Sequence, residues 1–466
     1  MSNFWDSNVW GSINLIGVLL LSLLIANVIK RKVKFFRNSL IPTSVLGGAI
    51  LLFIAGIYDL VTKNVPLFET AFFGGNGYEF LEIITYHTLA LGFIASTLKG
   101  SEGKFNKKRT TEIFNTGVTT VSTYLLQGVL GMGITIFIAT FVIKDFFPAS
   151  GILLPFGFGQ GTGQALNYGN IYETEHGFIG GKSFGLTIAA LGFLCASIGG
   201  VIHLNILKKK HKIIINEHTE GSISSEQIQS DNEIPMQDSI DKLTVQIAFV
   251  IGAYLLAYLF MFILGEILPG MKSVIYGFNF ILGVLAATIV KSVIKLLRKK
   301  QLMKREYVND FLLTRISNFF FDIMVVAGIA AIRLGVLEQY WGIMLIIGGV
   351  GLVITYAYNY LVARLLFPDY TQEQFLMMYG MLTGTASTGT ILLREIDGSF
   401  KTPAADNMVY QNFPAIVFGF PMMLLATLAP KEPILTLIIL VAFFIVMNLL
   451  LFRSYIFKKR KKNKNR

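Results

Sequence analysis

The sequence predicts an all-α polytopic membrane protein, and three observations predict it. Apolar runs long enough to cross about 30 Å of hydrocarbon recur from end to end. Only 15% of the 466 residues are charged while 53% are hydrophobic, too little charge to coat a soluble domain of this size. Lysine and arginine gather in every second loop between the runs. The formal net charge of +12 is thus distributed for a membrane surface and not for nucleic acid.

The runs predict about eleven membrane helices, near 10–29, 40–59, 79–98, 112–143, 177–207, 241–268, 272–297, 311–334, 337–366, 404–429 and 432–457. The first, Ile13 to Val28, has no basic region before it and no small-residue cleavage site after it, so it reads as a retained helix. Basic clusters follow the first span (Lys30, Arg31, Lys32, Lys34, Arg37), the third (Lys99 to Arg109), the fifth (Lys208 to Lys212) and the seventh (Arg298 to Arg305). The tail adds Lys458 to Lys462. This asymmetry predicts an outside N-terminus and a cytoplasmic C-terminus in the cell membrane. It holds only if two glycine-rich segments, near 150–170 and 374–394, enter and leave on one side as re-entrant loops.

The most polar stretch, within 208–240, reads as a cytoplasmic linker. It separates residues 1–207 from residues 241–429, each with five helices and one re-entrant segment, and 430–466 adds an extra helix and basic tail. Five spans is an odd number, so the halves have opposite topology and form two inverted repeats.

The two interruptions carry the chemistry. The first reads Gly157-Phe158-Gly159-Gln160-Gly161-Thr162-Gly163-Gln164, and the second Thr383-Gly384-Thr385-Ala386-Ser387-Thr388-Gly389-Thr390. Glycine-rich backbone at membrane depth persists only where protein buries it or water reaches it, and paired interruptions point to a transporter's binding site. The glycine spacing resembles nucleotide-binding turns, but the surroundings lack the strand and acidic residue that such a site needs. Gly159, Gln160, Gly161, Thr162, Gly163 and Gln164 offer amides to a small anion or carbonyls to a sodium ion, and Thr385, Ala386, Ser387, Thr388 and Gly389 add amides and hydroxyls. Glycines that merely let helices pack closely are the alternative reading.

Arg394 fits a substrate carboxylate, or else pairs with Glu395 or Asp397. Asp322, inside the eighth span, reads as a sodium ligand, with Thr383 and Thr385 as further ligands, as a partner of a substrate amine, or as a partner of Arg315. His87 and His203 read as hydrogen-bonded structural residues, and Cys195 as a small core residue. Asp406, Asn407 and Gln411 stand beside the second segment. Gly128, Gly131, Gly133, Gly348, Gly349 and Gly351 read as helix-packing positions. No catalytic or metal-cluster motif stands out, so the expectation is a carrier without an enzymatic step or cofactor.

From Pro155 to Lys208 the chain resembles the bacterial sodium/glutamate symporter family, on Gly159-Gln160-Gly161-Thr162-Gly163-Gln164-Ala165 and the span running to Gly199-Gly200. Ile41-Pro42-Thr43-Ser44-Val45-Leu46-Gly47-Gly48 after a basic loop is similar too. The family usually has a histidine where Gln160 stands, and Arg394-Glu395-Ile396-Asp397 has no counterpart recognised in it. The resemblance implies a homodimer, re-entrant loops meeting at substrate and sodium sites, and elevator-like motion. It extends to the related 2-hydroxycarboxylate transporters. The expected function is sodium-coupled symport of glutamate or a similar small organic anion across the lipid bilayer. The rivals are symport of another di- or hydroxycarboxylate, a cation/proton antiporter carrying its ion on Asp322, a lipid-modifying enzyme, and a receptor.

Overall fold

The computed structural model describes residues 3–62, 65–99, 106–210, 232–236, 240–398 and 401–454. Most of the expected linker, and the basic tail, lie outside the described residues. Up to the linker the chain forms α1 (Ser7–Lys32), α2 (Lys34–Asn38), α3 (Thr43–Thr62), α4 (Gly77–Leu98), α5 (Lys107–Phe141), α6 (Leu153–His176) and α7 (Gly181–Lys209). There follow α8 (Lys242–Ile267), α9 (Lys272–Gly277), α10 (Asn279–Lys299), α11 (Asp310–Ala330) and α12 (Trp341–Leu366). The last helices are α13 (Thr371–Thr383), α14 (Ala386–Arg394), α15 (Ala404–Tyr410), α16 (Asn412–Leu428) and α17 (Pro433–Leu451).

Ten of these helices are long and apolar enough to cross a membrane, and the bent pair α15–α16 makes up to eleven. The all-α polytopic expectation therefore holds. The tenth span departs from the single helix expected over 404–429, because α15 and α16 meet at 51°. Pro414 explains the bend: it has no N–H to return to the carbonyl of Tyr410, four residues back. The seventh span begins at Asn279 and not at 272, since the short α9 precedes it. Helix starts are set by local capping. Asn106, Asp241 and Asn309 each accept backbone N–H bonds from the first turn that follows.

The chain divides into two compact units, each drawing helices from both sides of the linker. One comprises Met1–Leu23, Gly47–Lys104 and Glu220–Ala331. Its core joins Leu91, Ile94 and Leu98 of α4 to Val250 of α8, Ala287 of α10 and Leu313 of α11. Gly92 brings α11 close: a Cβ there would lie 2.7 Å from the Phe321 ring, and the Ser317 hydroxyl donates to the Gly92 carbonyl at 2.9 Å. Just before and within the start of α8, the fully buried Lys242 amine meets Glu233 at 2.6 Å. Asn309 donates to the same carboxylate oxygen at 2.7 Å.

The other unit comprises Leu24–Leu46, Phe105–Thr219 and Ile332–Arg466. Its long helix α5, 35 residues, packs against the segment after it through small residues. Added Cβ atoms on Gly131 and Gly151 would strike each other's carbonyl regions within 2.2 Å. Gly351 likewise admits the Phe158 ring, at 2.8 Å from an added Cβ. Gly131 and Gly351 are thus close-packing positions as expected. Gly133 and Gly349 are not, since nothing lies within 4 Å of a Cβ on either. They occupy the outward faces of their helices.

Candidate functional site

Both glycine-rich segments are helical hairpins in this second unit. In α6 the reversal occurs at Gly161, whose φ of 78° and ψ of −169° only glycine adopts readily. The chain doubles back so that Phe156 stacks on Tyr168 with centroids 4.0 Å apart. Further from the tip, Phe147 stacks on Phe178 at 4.7 Å and sits 5.3 Å from Tyr172. The returning arm is anchored by hydroxyls: Tyr168 donates to the Met423 carbonyl at 2.8 Å, and Tyr172 to that of Ala426 at 2.6 Å. In the second hairpin, α13 ends at Thr383, the chain turns at Gly384, and α14 runs back. Gly380 and Gly389 face each other so closely that a Cβ on the former would lie 2.8 Å from the latter's Cα.

Helix α5 holds both tips. The Tyr124 hydroxyl donates to the carbonyl of Gly159 at 3.0 Å, and Gln127 Nε2 donates to the carbonyl of Leu382 at 2.9 Å and to Thr355 Oγ1 at 2.8 Å. Helix α7 passes between them at Gly192. A Cβ there would lie 2.4 Å from the Thr383 carbonyl oxygen and 2.9 Å from the Phe158 ring. Gly159 is equally confined, since its Cβ would fall 2.1 Å from the Tyr124 ring. Tyr124, Gln127 and Gly192 were not singled out in the sequence, because nothing local marks them off from the other polar and small residues of their spans.

The structure gathers Gly159, Gln160, Gly161, Thr162, Gly163 and Gln164 at one tip and Thr383, Gly384 and Thr385 at the other. Gln164 is 1% exposed, and neither its Oε1 nor its Nε2 has a partner. An amide buried in this state leaves a donor and an acceptor for something else to satisfy. Thr162 and Asn167 are buried on the same arm. Thr383 spends its hydroxyl on the Tyr379 carbonyl, and Thr385 caps α14 by accepting from the Thr388 N–H at 3.4 Å. Of the remaining candidates, Thr388 and Gly389 are buried against α13, Ser387 is half-buried and Ala386 is exposed.

Two candidates stand on other stretches of the chain. Arg394 is exposed at the far end of α14, about 13 Å along the helix from its cap, where a cation suits the negative end of the dipole. Asp322 belongs to the first unit, half-buried on α11. Arg315 lies over the Phe311 ring at 5.1 Å. After α14, Asp397 closes the following turn, accepting from the N–H groups of Lys401 and Thr402 and from the Thr402 hydroxyl. Burial alone would raise its carboxyl, but these bonds together hold it below the ordinary value. His203 bridges Tyr356 at 2.6 Å and Gln372 at 2.8 Å, and His87 meets Tyr254 at 2.7 Å, the structural hydrogen bonding expected of both.

The side chains at the two tips are neutral. Charge on a ligand there would be met by backbone: each tip presents the carbonyl end of one short helix and the amide end of the next. Amide ends favour anions and carbonyl ends favour cations. A scan of the sequence against protein-family models matches none, and a comparison with curated proteins finds no match.

Proposed function

We propose that the chain is a secondary active transporter that couples the inward movement of sodium to symport of glutamate or a similar small organic anion. The observation that carries this reading is the convergence of two helical hairpin tips on α5 and α7, with Gln164 buried and unpartnered beside them. The anion would meet the amide ends at Thr162 and Thr385 to Gly389, with Gln160, Gln164 and Ser387 supplying neutral hydrogen bonds. Sodium would take carbonyl and hydroxyl oxygens. In this reading the hairpins are re-entrant, the parts flanking the linker are inverted repeats, and the hairpin-bearing unit is the moving one. The division of both repeats between the two units supports that assignment. The proposal includes a homodimer in the plasma membrane with a cytoplasmic C-terminus.

The test is uptake of radiolabelled glutamate into proteoliposomes with and without an inward sodium gradient. Sodium-dependent accumulation is the expected result. No uptake of glutamate, other dicarboxylates or amino acids would sink symport and favour ion exchange on Asp322.

A further inference from the structure

The hydroxyl-rich stretch of α5, Thr116 to Thr123, precedes the two residues, Tyr124 and Gln127, that bond to the hairpin tips. Thr116, Thr119, Thr120 and Thr123 are buried, as are Asn115 and Ser122 on the same helix. Thr116 Oγ1 accepts from Gln374 Nε2 at 3.1 Å, and Gln374 Oε1 accepts from Asn407 Nδ2 at 3.0 Å. Asn407 Nδ2 also reaches the Tyr370 hydroxyl at 3.0 Å. One turn on, Gln411 Nε2 is directed at Met381 Sδ and at Asn412 Oδ1, at 3.5 and 3.3 Å. The Pro414 ring lies 2.6 Å and the Gln411 carbonyl 3.1 Å from where a Cβ on Gly117 would stand, so the bend between α15 and α16 closes on α5 beside Thr116.

At this junction the amide nitrogens are used and the oxygens are left over. Asn407 Oδ1, Gln411 Oε1 and Thr120 Oγ1 are buried without a partner, on residues exposed by 2% or less. Two amide oxygens and a hydroxyl oxygen left over in this way are ligands of the kind a hard cation takes. Among the described residues no cluster of His, Cys, Asp or Glu could hold a transition metal.

We infer that Thr120, Asn407 and Gln411 ligate a monovalent cation, sodium, at the junction of α5, α13 and α15. This rests on the sodium-coupled reading and deepens it by placing an ion site away from the tips. Thr120 lies one turn from Tyr124 on the helix that grips both hairpins, so occupancy of the site is felt where the anion binds.

The experiment measures thermal stability of the purified, anion-free protein against sodium concentration, with choline balancing ionic strength and potassium as comparison. Sodium should raise the melting temperature saturably and potassium should not. Thr120→Val should raise the half-saturating sodium concentration about tenfold, and Gln411→Glu, which keeps the oxygens and adds charge, should lower it. Half-saturation equal in all three proteins, or equal stabilisation by sodium and potassium, overturns the site. If Thr120→Val does not fold, Gln411→Glu decides alone. Uptake separates the two readings. Sodium-driven uptake with unmoved half-saturation sinks the site only. Shifted half-saturation with sodium-independent uptake keeps the site and sinks the coupling.

Discussion

Replacing Gly192 by alanine adds one methyl group where α7 passes between the hairpins. That Cβ would lie 2.4 Å from the Thr383 carbonyl oxygen, whereas ordinary contact begins at 3.4 Å, so helix and tip must part by 1.0 Å. The Phe158 ring, 2.9 Å away on the other side, blocks the compensating shift. Overpacking of this kind costs about 1–3 kcal/mol. If the ligand-bound state requires the tips at their present separation, that cost falls on binding and corresponds to a loss of about 5- to 150-fold. The assay is the initial rate of sodium-driven uptake at low substrate, normalised to monodisperse protein recovered from the membrane. Gly133→Ala is the control, because nothing lies within 4 Å of its added methyl. Uptake by Gly192→Ala within about twofold of wild type would refute the reasoning, whether or not stability had changed.

Four further outcomes are expected. Gly161→Ala forces a side chain into backbone that only glycine readily occupies, at about 1–3 kcal/mol, and should abolish uptake while folded protein remains in the membrane; normal uptake would remove the tip from the site. Gln164→Leu deletes two buried polar atoms without partners, so it should raise the melting temperature while eliminating uptake, and retained uptake would clear Gln164 of a ligand role. Lys242→Met leaves Glu233 without its buried cation and should destabilise by about 3–5 kcal/mol, largely recovered when Glu233→Gln is added; an unchanged melting temperature contradicts the pairing. Because the folded Asp397 carboxyl titrates below its unfolded value, its stabilisation is complete above about pH 4 and lost as pH falls through the lower folded value. Asp397→Asn should therefore be less stable than wild type at neutral pH, with the gap closing in acid, and a gap independent of pH would exclude the carboxylate as its cause.

The fold was legible because hydrocarbon imposes a length rule on every span, and the break at Gly161 because four alternating glycines have few other uses in an apolar run. What escaped was tertiary. Nothing in the sequence distinguishes Gly192 from Gly133, yet one is wedged between backbones and the other faces outward. Pro414 bends the tenth span, but a proline inside an apolar run need not do so, as Pro421 within α16 illustrates. Tyr124 and Gln127 look like incidental polar residues until the carbonyls they hold are brought to them by folding. The hydroxyl row on α5 was visible as residues and not as a site, because Gln374, which bonds to Thr116, and Asn407, which bonds to Gln374, lie more than two hundred positions away.

Tyr124 and Gln127 stand three positions apart on one helix, and each secures a different hairpin. Their interval is thereby a gauge that both loops are set against. Inserting or deleting one residue between them would swing one grip about 100° around the helix axis relative to the other. The hairpins themselves can change composition, provided their carbonyls arrive at the same two points. Lineages of this protein should therefore vary freely in the tip residues that select the cargo while keeping the spacing on α5 free of insertions and deletions.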